Sequence, residues 1–385
     1  MKPFFSISRM DGLLKQDNMD AMVLCQPSSY GYFTTIPWRD RSYFPGIGKD
    51  VTVPIAGYVR GRPDEAFAAV AHIDMADVKQ RGCWIGDLRP VNDLGPYEQH
   101  AEAIVAMLNE KGLGAGRVGL ERSTLPHGLI VALEELAPRI EWVECIDVLY
   151  KLQEFKSEEE LRRLRRACEV NEKGMLKVLD GLRVGATPRD LNGIYLTSVA
   201  GIYCERYGHF HPITFGDHHL KRQPFNQVRL QPETLIHIDQ SLVYKGLISD
   251  VGRNFYFGNS IPAEVARMSD ACIRTVETVS EGLRPGIPCA EVDRLSRETF
   301  YDIAGESADF KLGLVSHGVG WILYSYPFIS PNPKGTILPG HVFTLEVFVH
   351  YPGLGHFKCE DLFAMHDDGL EKLNKLERKL FVKPC

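Results

Sequence analysis

Two aspartates constrain this chain more than any other feature. Asp239 and Asp250 lie eleven positions apart in residues 235–257, LIHIDQSLVYKGLISDVGRNFYF, each beside an apolar run rich in β-branched residues. Runs 235–238 and 247–248 are predicted as neighbouring strands joined by a turn around Lys245-Gly246. A hairpin of that length brings both carboxylates onto one face at the same depth. Two carboxylates buried side by side repel, and each carries a raised pKa unless a cation holds them. The competing reading is a pair of strand-end aspartates that cap turns.

Three further residues tip the balance. His317 sits in SHGVG, Glu346 ends the strand-like run VFTLE, and Glu360 sits in FKCED. Two aspartates, one histidine and two glutamates on or beside apolar segments make a hard-oxygen set with one imidazole. Such a set suits a pair of divalent ions bridged by carboxylates. With SDVGR around the second aspartate, HGVG at the histidine and Lys-x-Glu-Asp at the end, the order resembles the pita-bread metallopeptidases. That family includes the methionine aminopeptidases, the aminopeptidase P and prolidase group, and the creatinase-like enzymes. The resemblance implies that Asp239 chelates one ion, His317 and Glu346 the other, and that Asp250 and Glu360 bridge. It also implies a metal-bridging water made acidic by the ions, with Glu346 as its general base. Manganese, iron, cobalt and zinc all suit this ligand set. A metal-free protein that keeps the fold is the alternative.

A chain of 385 residues exceeds what one ordinary core fills, so two domains are expected, 1–150 and 151–385. Residues 1–150 alternate apolar runs (21–25, 51–55, 84–85, 118–120) with helical patterns (98–110, 126–136), the mark of an α/β layer domain. DAMVLCQPSSYGYFTT resembles the opening of the creatinase-type amino-terminal domain. In the creatinase-like group a loop of this domain enters the partner subunit's active site, which makes Arg41 in WRDRSYF a candidate substrate contact; a solvated loop is the competing reading. From position 157, Ser157 and Glu160 form a predicted capping box that opens a long helix, with Leu161, Leu164, Ala167 and Val170 on its apolar side. Thr187 before Pro188 is predicted to cap the next helix, and two more are expected over 261–283 and 289–304.

Charge and cysteine usage exclude several classes. A formal net charge of −6 argues against nucleic-acid or anionic-membrane partners. No window is long and apolar enough to span a bilayer, and the start lacks a secretory pattern. Nine cysteines with no C-x-x-C read as reduced thiols of a cytoplasmic protein. A homodimer is what the resemblance implies.

The chain departs from its family in two places. Four histidines, His209, His211, His218 and His219, crowd residues 209–219, and the resemblance expects a substrate-contacting histidine in the loop after 212–216. His218 and His219 are both candidates, and their register leaves the choice open. After the metal histidine the family pattern HGxGxxxHExP here reads HGVGWILYSYP, with Tyr324 and Ser325 at the second histidine and its glutamate neighbour. A tyrosine hydroxyl donates a hydrogen bond but stays neutral to a pKa of about 10. With Trp321 and Tyr326, Tyr324 is expected to form an aromatic wall suited to a cationic group. Ordinary packing is the competing role for all three. Three functions remain: an Xaa-Pro peptidase acting on short peptides, a hydrolase or lyase of a compact, cationic metabolite, and a non-catalytic binding protein. The resemblance favours the first as the broad label, a metal-dependent hydrolase of this family, while Tyr324 favours the second, with Xaa-Pro dipeptides as poor substrates.

Overall fold

A computed structural model describes residues 2–36, 50–92, 94–201, 213–217, 228–305, 312–313, 316–330 and 335–385. The chain divides into two compact units, Met1–Gln153 and Glu154–Cys385.

In the amino-terminal unit a six-stranded mixed sheet runs Asp87–Val91, Phe67–Ala71, Ala56–Val59, Ala21–Leu24, Arg117–Leu120, Glu141–Glu144. Helices Tyr97–Glu110 and His127–Leu136 turn Ile104, Leu108, Leu129 and Leu133 into its core. Two expected strands differ. Of residues 51–55 only Val51 and Thr52 join a strand, Asp50–Thr52, paired with Leu94–Pro96, because Pro54 has no N–H for a ladder. Trp84 and Ile85 are in no strand: Ile85 is buried, and the half-buried Trp84 indole packs edge-on against Phe5 and Phe33 and donates its N–H to the Phe33 carbonyl. After the first strand the chain forms a helix, Pro27–Thr34, whose start is held by the buried Glu121 carboxylate. That carboxylate accepts from the Cys25 and Gln26 N–H groups and from the Ser29 hydroxyl.

The carboxy-terminal unit opens with helix Glu158–Gly181, and the capping box forms: Ser157 Oγ accepts from the Glu160 N–H while Glu160 accepts from the Ser157 N–H. Helix Pro188–Val199 follows, capped by Thr187. Helices Ala263–Gly282 and Cys289–Ala304 come later in the chain. Among the described residues, seven strands form the main path of one sheet: Ser325–Ile329, Ser316–Gly318, Val342–Tyr351, Gly355–His366, Leu247–Phe257, Thr234–Tyr244, Ile213–Phe215.

Strand periodicity explains what each face of this sheet carries. Ile236, Ile238, Leu242, Val251 and Phe255 pack with Ala167, Val170, Leu191 and Tyr195 of the first two helices. Leu345, Val347, Phe357 and Cys359 pack with Met268, Val276, Val292 and Phe300 of the second two. The residues between them, including Asp239, Asp250, Glu346 and Glu360, therefore point to the opposite face.

Strands Thr234–Tyr244 and Leu247–Phe257 pair along their full length and turn at Lys245-Gly246, both with positive φ (50° and 84°). A two-residue turn of that kind matches the twist of a hairpin. The register places Asp239 opposite Gly252 and Asp250 opposite Ser241. The two aspartates thus share a face but stand diagonally, one step apart, and not at the same depth as expected.

Candidate metal centre

Four strands set the row that crosses the middle of the site. Asp239 faces Gly252, Gly252 faces Glu360, and Glu360 faces Glu346. Directly opposed residues of antiparallel strands project to the same face, so three carboxylates line up with a gap at the glycine. Asp250 stands one step along, its Oδ1 accepting from Ser241 Oγ at 3.0 Å.

The gap at Gly252 is filled by Lys358. This lysine precedes Glu360 by two residues and shares its face, and its stem crosses over the glycine. A Cβ at position 252 would lie 2.7–2.9 Å from the Lys358 Cε, Cδ and Cγ atoms. The ammonium reaches Asp239 Oδ2 at 2.6 Å, Glu346 Oε2 at 2.7 Å and Glu360 Oε2 at 3.1 Å. Burial works against its charge, yet the surrounding carboxylates push its pKa well above the usual lysine value.

His317 closes the cluster. Its Nδ1 lies 3.2 Å from the Gly318 carbonyl oxygen, a partner that only an N–H satisfies. That leaves Nε2 bare and facing Asp250 Oδ2 at 3.7 Å and Glu346 Oε1 at 3.9 Å, and burial lowers its pKa. A neutral imidazole with one nitrogen fixed by a carbonyl is how histidine presents itself to a metal.

The donor set fits divalent cations. Ligand atoms of Asp250, His317 and Glu360 lie within 4.8 Å of one another. Glu360 is fully buried, and apart from the approach of the Lys358 ammonium to Oε2 neither oxygen has a hydrogen-bond partner among the described residues. Burial first, and then neighbouring carboxylates, push Asp250 and Glu360 well above the usual carboxylate range. Four buried carboxylates against one ammonium leave an excess of negative charge that oxygen-seeking cations relieve.

Of the expected aromatic wall, two members stand beside the centre. The Tyr324 ring lies 4.4 Å from that of His317 and is 57% exposed, while Tyr326 is 47% exposed. Trp321 does not join them. It is buried, donates its indole N–H to Glu160 at 2.8 Å, and lies so close over Gly246 that a Cβ there would come within 2.2 Å of the ring. Its role is to clamp the histidine segment to the hairpin turn and to the first helix. Phe328, opposite His317 in register and 5.2 Å from Tyr326, takes the third place. Alternation from Tyr324 through Tyr326 was the signal for it. Arg41, His209, His211, His218 and His219 lie outside the described residues.

The sequence profile of Metallopeptidase family M24 matches residues 162–367, more than half of the chain. The chain belongs to metallopeptidase family M24. Within this M24 chain the Creatinase/Prolidase N-terminal domain profile matches residues 7–154. The chain is 26% identical over 272 residues to a Xaa-Pro dipeptidase of Pyrococcus horikoshii, covering 69% of this chain and 75% of that protein. It is 22% identical over 394 residues to a Xaa-Pro dipeptidase of Lactobacillus delbrueckii, covering 98% and 99%. Among solved structures, the prolidase from Pyrococcus horikoshii matches with a TM-score of 0.78 at 19% identity, over 97% of this chain and 99% of that one. An X-Pro aminopeptidase from Thermotoga maritima matches with a TM-score of 0.80 at 17% identity, over 98% and 99%. The M24 chain therefore has the α/β architecture expected, a creatinase-like amino-terminal domain followed by a pita-bread catalytic domain.

Proposed function

We propose that Asp239, Asp250, His317, Glu346 and Glu360 hold two divalent cations, and that the chain hydrolyses short Xaa-Pro peptides. The observation that carries this reading is the buried cluster itself, in which four carboxylates and one bare imidazole nitrogen converge around a cationic group. Asp239 is assigned to one ion, His317 and Glu346 to the other, and Asp250 and Glu360 to both. When bound, two such ions supply Lewis acidity that makes a shared water acidic and polarises the susceptible carbonyl. Glu346 takes the proton of the attacking water as general base. Tyr324 offers its hydroxyl to the oxygen that gains charge, and Tyr326 and Phe328 form an apolar flank suited to the substrate's cationic amino end. The Xaa-Pro dipeptidases among the relatives support the peptide class.

A second reading, a compact cationic metabolite as substrate, is favoured by tyrosine at position 324. In the cell we assign the protein to the cytoplasm, which the eight free cysteines among the described residues support, and to a homodimer. Among the described residues no helix is long and apolar enough to cross a membrane.

The test is turnover by manganese-loaded protein on a panel of Xaa-Pro dipeptides and of compact amidino or quaternary ammonium compounds. Hydrolysis of a dipeptide should disappear on chelation and return with metal. Tyr324→Phe should retain its metals and turn over roughly a hundredfold more slowly, the usual loss for one oxyanion donor. Turnover of the small cationic compounds alone would move the chain to the second reading. Inertness towards both would leave a binding protein.

A further inference from the structure

One row along from the carboxylates, the same face carries buried polar groups that the proposed chemistry leaves unused. His237 precedes Asp239 by two residues and faces Thr214 in register. His237 is 1% exposed and Thr214 7% exposed. Neither ring nitrogen of His237, nor the Thr214 hydroxyl, has a hydrogen-bond partner among the described residues. Buried polar atoms are ordinarily paired, so two adjacent unpaired side chains on the face of a catalytic site point to a ligand.

The surroundings give that ligand's chemistry. Asn254, the next residue of the row, is committed: its Nδ2 donates to the Ile236 and His356 carbonyls and its Oδ1 accepts from the Lys358 N–H. Lys358 follows in the row and brings positive charge, which disfavours a cationic ligand. His237 lies 5.4 Å from the Phe348 ring and 5.9 Å from the His356 ring. His350, 4.6 Å from His356 and with a side chain 40% exposed, stands on the solvent side. Cations bound at Asp239, Glu346 and Glu360 would compete with the Lys358 ammonium for the same oxygens, releasing the side chain that crosses this row.

We propose that His237 and Thr214 form a subsite that receives a carboxylate of the substrate through the imidazole N–H and the threonine O–H. The inference rests on the hydrolase reading above and deepens it. Residues two apart on a strand are separated by roughly 7 Å. A dipeptide carries its carboxylate one residue beyond the susceptible carbonyl, roughly 3–4 Å away, so both ends of that span fit between the metal row and His237. A longer peptide would present an amide there. A compact metabolite with its own carboxylate would satisfy the same donors.

Manganese-loaded protein is titrated with L-proline and with L-prolinamide by calorimetry, and assayed on Ala-Pro and Ala-Pro amide. Thr214→Val removes only the hydroxyl at nearly constant shape, and His237→Phe keeps aromatic volume against Phe348. Wild type should bind proline at least tenfold tighter than prolinamide, and each variant should close most of that gap with unchanged manganese content. On Ala-Pro the variants should raise KM roughly 10- to 100-fold, the loss for a hydrogen bond to a charged group, with kcat little altered. Equal affinity for the two probes, no binding of proline, or a Thr214→Val protein that keeps the full difference would overturn the subsite. Carboxylate-dependent binding that both variants lose, without turnover of Ala-Pro, would retain the subsite and remove the peptide reading, leaving a compact carboxylated metabolite as its source.

Discussion

Glu346→Gln should lower kcat by about a hundred- to ten-thousandfold, the span typical for removing a general base. The substitution keeps the size of the side chain and one oxygen that can face a cation. Glu346 is 6% exposed, with Oε1 towards His317 and Oε2 towards Lys358, the place from which the proposed reading has it take up a water's proton. Metal content measured on the same preparation separates loss of the base from loss of an ion. A variant that keeps its metals and turns over at the wild-type rate would move the base elsewhere.

Lys358→Met should have the larger effect on the metal-free protein. Removing one member of a buried charge set leaves its partners uncompensated and typically costs about 3–5 kcal/mol. Here three carboxylates lose a buried ammonium at once. Asp250 and Glu360, whose pKa values are raised by burial first and then by neighbouring carboxylates, set the pH dependence. A carboxyl group raised in the folded state adds stability below its unfolded pKa, about 4, and loses it as pH rises through the folded value. Protons therefore replace the lost ammonium in acid, and the deficit should be larger at pH 8 than at pH 5. Added manganese should restore most of the loss, because a ligand of the folded state stabilises it by mass action. Urea titrations at the two pH values, with and without manganese, measure all of this. Equal stability of variant and wild type without metal at pH 8 would mean that Lys358 is not the countercharge.

Periodicity made most of this centre legible in the sequence. Asp239, Asp250, Glu346 and Glu360 each sit inside an apolar run, and a strand buried by helices on one face must carry such carboxylates on the other. The same rule applied to K-x-E at 358–360 and H-x-D at 237–239 would have placed Lys358 and His237 on that face as well. Neither residue belongs to the five-ligand pattern, so residue type alone does not single them out. The diagonal offset of the aspartates depends on register, which the tight Lys245-Gly246 turn fixes, and spacing alone does not reveal it. Trp321 looked like part of a substrate wall because it shares a segment with Tyr324. Its burial comes from Glu160, 161 positions away, and from the glycine of the turn, contacts that no local pattern encodes. Tyr326 and Phe328, by contrast, follow strand alternation, with Pro327 and Ile329 turned inward between and beyond them.

Metal stoichiometry tests the proposed dinuclear centre most directly. Protein loaded with manganese and freed of excess ion should hold two ions per chain by elemental analysis, and Glu360→Gln should lose at least one of them, because Glu360 is assigned to both ions. Manganese at background in the loaded wild type, or a Glu360→Gln protein that retains the full complement, would contradict the centre built from Asp239, Asp250, His317, Glu346 and Glu360.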